Sequence, residues 1–245
     1  MGKARKRTIL SIWLGRLPAE KAAVYEPSVR ALENGYGLVS LALNEGLQLS
    51  EAGELRAARE AADLCGALAE RHAAALCGAL ATMERRSRHF GRLPEVVPLD
   101  AGTFRGEAGR AASLWNAVLH RVLFSARQRW FHKLRTLEEI LWQARATFLT
   151  TAGELADGVS LSPNKDWARL EETHDDWNTC LQETTILFKC LLETLAPGEV
   201  EELRGELEKQ RERAENEPSE WVARRRRKVR VVRAEGCAQD SPRRQ

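Results

Sequence analysis

Glu171 and His174 stand three residues apart, the spacing at which an α-helix presents a carboxylate and an imidazole on one face. Such a pair is one part of a dinuclear carboxylate-bundle metal site, which also needs a second Glu-x-x-His and two further inward glutamates. The chain has no second copy of the motif. His72 falls on the apolar seam of another helical segment and would approach His174 if the two segments were neighbours. Two histidines and one glutamate leave the ligand set incomplete. The reading is therefore that both imidazoles are semi-buried, hydrogen-bonded residues that help set helix register. No metal or other cofactor is expected, and a metal-dependent bundle built on Glu171 and His174 ranks last among the functional readings.

The same stretch carries Glu171-x-x-x-Asp175 and Glu172-x-x-x-Asp176. This spacing resembles the acidic pairs of PhoU-like phosphate regulators, which are also helical bundles. The resemblance covers six residues and has no matching set elsewhere in the chain, so it implies no activity here. Acids near a helix start are favoured by the helix dipole in any case. Gly-x-Ser-x-Gly, Gly-x-Gly-x-x-Gly and Gly-x-x-x-x-Gly-Lys-Ser/Thr are all missing from the sequence, which argues against elbow-type nucleophilic catalysis and phosphate-loop chemistry. A chain that is not an enzyme is the expectation.

Charge is distributed unevenly. Residues 1–16 hold five bases and no acid, residues 218–245 carry a surplus of six positive charges, and the body between them is acidic although the whole chain totals +3. The C-terminal surplus centres on Arg224, Arg225, Arg226, Arg227 and Lys228, continued by Arg230 and Arg233. Adjacent cations repel one another until an anion relieves them, so this run is the candidate anion-binding surface. Trp221 beside it could stack on a base. Nucleic acid, an anionic membrane surface and the acidic body of the chain itself are its possible counterparts.

Positioning falls to helices. From Arg110 to Ala152 there is no proline and one glycine-free run, with apolar residues every three or four positions. Read as one helix it would be roughly 65 Å long and would need antiparallel neighbours to bury its stripe. Trp115, Leu119, Val122, Ala126, Trp130, Leu134, Leu137, Leu141, Ala144 and Phe148 form that stripe. The preceding helix, capped by Ser50, offers a complementary seam of small residues through Ala58, Ala62, Cys65, Ala69, His72, Leu76, Ala79 and Met83. Before it, a helix from Ser28 to about Glu45 is expected to stop at Gly46. After the central stripe, Ser162 and Pro163 start a helix with an unbroken heptad of Trp167, Leu170, His174, Trp177, Leu181, Thr184, Phe188, Leu191 and Leu195. A charged helix from Glu199 to about Glu215 then docks through Val200, Leu203 and Leu207.

The predicted fold is therefore all-α: an elongated antiparallel bundle of four to five helices spanning residues 17–217, flanked by basic, poorly ordered ends at 1–16 and 218–245. Lys228–Arg233 alternates partly like a strand that would pair with Ile9–Leu14, although two strands alone are marginal in water. Trp130, Trp142, Trp167 and Trp177 are assigned to packing, ahead of a ligand cage. Five cysteines without CxxC spacing read as reduced thiols in a cytoplasmic protein, and no window is apolar enough to span a membrane. A structural or adaptor protein that binds another protein or a second copy of itself is the functional expectation, with nucleic-acid binding through the C-terminal tail as the alternative.

Overall fold

The computed structural model describes residues 19–121 and 125–216. Six α-helices carry this part of the chain, with no strand among the described residues: α1 (Ala19–Glu51), α2 (Leu55–Ser87), α3 (Gly106–Arg121), α4 (Ala126–Asp157), α5 (Pro163–Thr194) and α6 (Pro197–Asn216). The four long helices α1, α2, α4 and α5 pack as an antiparallel ring in that order, each about 50 Å long. Helix α3 lies against α4, and α6 lies outside α2. No described helix is long and apolar enough to cross a membrane.

Helix α1 runs straight through Gly35, Gly37 and Gly46, so the expected start at Ser28 and stop at Gly46 are both corrected. Each interior glycine costs about 1 kcal/mol in helix propensity. Packing explains why two of them are nevertheless kept in the helix. A Cβ on Gly35 would sit 2.8 Å from Cδ2 of His72, and one on Gly46 would overlap the indole ring of Trp167. Glycine lets α1 approach α2 and α5 closely enough to bury those rings. The chain turns instead at Gly53, whose φ of +78° is left-handed, and Ser50 lies in the last turn of α1, where it caps no helix.

The small-residue seam of α2 is buried along its whole length, from Ala58 to Met83. Arg127 closes the C-terminal end of α2 by donating to the carbonyls of Ser87, Arg88 and Phe90. The connection that follows is more than a turn. It buries Phe90, Val96, Leu99 and Phe104, and Asn116 of α3 holds Leu99 by bonds to both its N–H and its carbonyl. Lys133 of α4 is also buried, with Nζ 2.9 Å from the carbonyl of Val97 and 2.8 Å from a carboxylate oxygen of Glu183 on α5.

The expected single helix across 110–152 is two helices. Helix α3 ends at Arg121, and α4 begins afresh with a capping box, in which Ser125 accepts from the Gln128 N–H while the Gln128 side chain accepts from the Ser125 N–H. At its other end α4 stops at Gly158 with φ +69°, and the Gly158 and Val159 amides bond back to Leu155 and Glu154 in a Schellman pattern.

Every residue of the predicted heptad is buried, including Leu195 just past the end of α5. Threonine is tolerated at the buried position 184 because its hydroxyl donates to the Cys180 carbonyl one turn back. Ser162 occupies the capping position without a side-chain cap bond, whereas Ser160 donates to the Asp166 carboxylate. Val200, Leu203 and Leu207 dock α6 on the bundle as expected. Trp130, Trp167 and Trp177 are core residues, but Trp142 is 50% exposed with the Arg145 guanidinium over its ring, a correction to its assignment to packing. The two basic ends, including the suggested strand pair, lie outside the described residues.

Replacing Gly46 by alanine should drive a methyl group into a rigid indole and cost about 1–3 kcal/mol. Gly37→Ala, where a Cβ meets nothing within 4 Å, should instead be neutral or stabilising. Urea unfolding of the two variants checks the contrast.

Candidate functional site

The structure brings His72 and His174 into one layer of the core, where all four long helices contribute a ring. Tyr36 of α1 stacks on His174 of α5 at 4.2 Å between centroids and 3° between planes. His72 of α2 stacks on Trp177 at 5.6 Å, and Phe148 of α4 meets Trp177 edge-on at 5.9 Å. Ring faces and edges account for the arrangement, since offset and T-shaped pairs of this kind are favoured beyond their burial. Tyr36 and Phe148 were not singled out as partners of the histidines, because a single helix pattern carries no register between helices.

Burial is the largest influence on His174. It pulls the imidazole down to about 4, against the opposing pull of the Asp175 carboxylate and of a hydrogen bond to the Tyr36 backbone. The neutral ring is thus the form the fold accommodates. Nε2 of His174, Nε1 of Trp177 and Oγ1 of Thr151 are buried without a hydrogen-bond partner among the described residues.

Glu171 does not join His174. Its side chain is exposed while the imidazole points into the bundle, so the Glu-x-x-His spacing is not realised as a paired ligand set. Among the described residues, no three His, Cys, Asp or Glu side chains gather as a cation would require. The acidic stretch of α5 serves packing: Asp176 accepts from the Arg105 N–H at 2.8 Å, and the Arg105 guanidinium lies 3.4 Å from Glu172 and 3.8 Å from Asp175. These contacts anchor the start of α3. Burial raises the Asp176 carboxyl, partly offset by the Arg105 amide.

The described cysteines are free thiols. Desolvation pushes Cys65 and Cys77 up to about 12 and raises Cys180 as well, which removes the thiolate needed for nucleophilic chemistry. The candidate anion-binding residues Arg224, Arg225, Arg226, Arg227, Lys228, Arg230 and Arg233, and with them Cys237, lie outside the described residues.

A surface feature went unread in the sequence. Leu38 and Leu41 of α1 are 50% and 68% exposed, and Leu64 of α2 is 48% exposed, with Leu68 partly buried beside it. Gly35 faces His72, and the helices are antiparallel, so Leu38 and Leu41 stand level with positions 69 and 66 of α2. Helical spacing sets all four leucines on the outer flank of the α1/α2 pair. The lower part of this groove is already filled by α6, through Arg85 and Arg86 to Glu202 and Glu206, and through Gly78 against Gln210. Leucines at 38 and 41, out of phase with the buried set 39, 42, 43 and 46, were the available signal.

No protein-family model matches the chain, and no curated protein or solved structure shows significant similarity to it.

The depressed His174 value sets a pH dependence. The unfolded chain takes up a proton near pH 6.5 and the folded one only near 4, so stability falls as pH drops through that window, by about 3 kcal/mol in full. His174→Phe keeps a ring against Tyr36 and removes the titrating group. Urea unfolding at about pH 7.5 and about pH 5 should show a smaller loss in this variant than in the parent protein.

Proposed function

We propose that the chain is a non-enzymatic structural or adaptor bundle that mediates protein–protein interaction or self-association, with the upper α1/α2 groove as its docking face. The observation that carries this reading is the line of exposed leucines, Leu38, Leu41 and Leu64, continuing a groove whose lower half already receives a helix. Helix α6 sets the pattern for an occupant: apolar residues at three- and four-residue spacing, with acids placed to meet Arg85 and Arg86. A groove that takes one amphipathic helix offers a second one the same kind of surface. The filled core supports the reading too, since its aromatic layer is occupied by the chain's own rings.

A photo-crosslinking side chain at position 41 of the full chain, expressed in cells, tests it. A recurrent adduct to one protein, either another copy or a distinct partner, is expected, and it should be lost when Leu64→Glu is added. Position 161, where the leucine is 99% exposed away from this groove, should give no such product. Equal adduct patterns from 41 and 161 would remove the proposal.

A further inference from the structure

We propose that the segment following α6 docks in the open upper half of the α1/α2 groove, Trp221 and Val222 against the exposed leucines and Arg224–Lys228 against the acidic end of the α1/α2 hairpin. The inference rests on reading that groove as a helix-binding face. It makes the tail a competitor, carried by the chain itself, for whatever binds there.

Register brings the tail to the groove. Arg86 pairs with Glu202, and Gly78 faces Gln210. Eight residues forward along α6 therefore correspond to eight residues back along α2. The same step places Asn216, the last residue of α6, at about the level of residue 72. Leu68 and Leu64 lie roughly 6 and 12 Å beyond that point along the axis. The five residues from Asn216 to Trp221 span at most about 17 Å. Trp221 and Val222 are thus within reach of the leucines, and they are an adjacent large apolar pair in an otherwise polar stretch.

Charge complements this placement. From Glu45 to Asp63 the hairpin carries Glu45, Glu51, Glu54, Glu60 and Asp63 against Arg56 and Arg59, an excess of three negative charges. Arg56 is engaged locally with Glu60, and the Arg59 guanidinium lies beside Gly158 at the end of α4. A hollow lined by Glu54, Leu55, Arg56, Ala57 and Glu60 lies on this end of α2. Five consecutive cations at 224–228, with no acid among them, would follow Trp221 and Val222 onto it. The mutual repulsion of these cations is relieved there without an external polyanion.

The test uses the full chain with Leu41→Cys and Val222→Cys, oxidised and mapped by mass spectrometry of peptides. Leu41 is exposed, so its replacement spares the core. The comparison protein carries the same two cysteines together with Trp221→Ser and charge reversal at 224–228. Tether and span are then identical, so docking should raise the intramolecular 41–222 product roughly tenfold over that of the comparison protein through effective concentration. Equal yields would overturn the inference and return the tail cations to an external polyanion. A 41–222 link found between two molecules would overturn it in favour of a second copy. Sedimentation of the same samples reads self-association separately: an intramolecular link in a monomer supports tail docking whether or not copies associate.

Discussion

The distance at which α1 can approach its neighbours governs the rest of the bundle. His72 and Trp167 are bulky rings projecting from α2 and α5 toward the same helix, and each meets α1 where the side chain is a single hydrogen, at Gly35 and Gly46. With that clearance Tyr36 comes into register with His174, and the aromatic layer closes across all four helices. The propensity cost of the glycines is local, about 1 kcal/mol each, whereas burial of a large aromatic side chain is worth about 1.5–3 kcal/mol and is shared by several neighbours. A helix that looks weak in isolation is therefore the one around which the core is organised.

The legible parts of the fold are those in which one helix carries its own information. The α5 heptad holds over its full length because even Thr184 satisfies its hydroxyl within its own helix. The alanine seam of α2 and the three docking residues of α6 are likewise one-helix patterns. Single-helix patterns mislead where the information is shared between helices or indirect. Glycine at 46 reads as a stop unless Trp167 is known to lie over it. Glycine and proline do not mark the separate start of α4, which the reciprocal bonds of Ser125 and Gln128 set without either. Trp142 shares the spacing of core residues but sits on the flank, its ring against Arg145.

The candidate site divides in the same way. Approach of the two histidines was readable as a condition on helix adjacency, and the structure satisfies it. The neutralising environment of His174 was not, since desolvation depends on Tyr36 and Phe148 from other helices. Acidic residues of α5 suggested chemistry by their spacing, yet Glu172, Asp175 and Asp176 hold Arg105. Local spacing reports that charges share a face. What that face meets is a property of the assembled bundle, and here it meets the entrance to α3.

Lys133 gives the irregular connection between α2 and α3 a standing that its lack of regular structure conceals. The ammonium is buried, and its oxygen partners are the Val97 carbonyl in that connection and Glu183 on α5. Lifting the connection would strip a cation of one partner where water does not reach, and parting α4 from α5 would strip it of the other. Breaking such a buried pair costs about 3–5 kcal/mol. Opening of the loop and separation of the helices are thereby coupled into one cooperative event, so this coil belongs to the same unfolding unit as the helices it crosses.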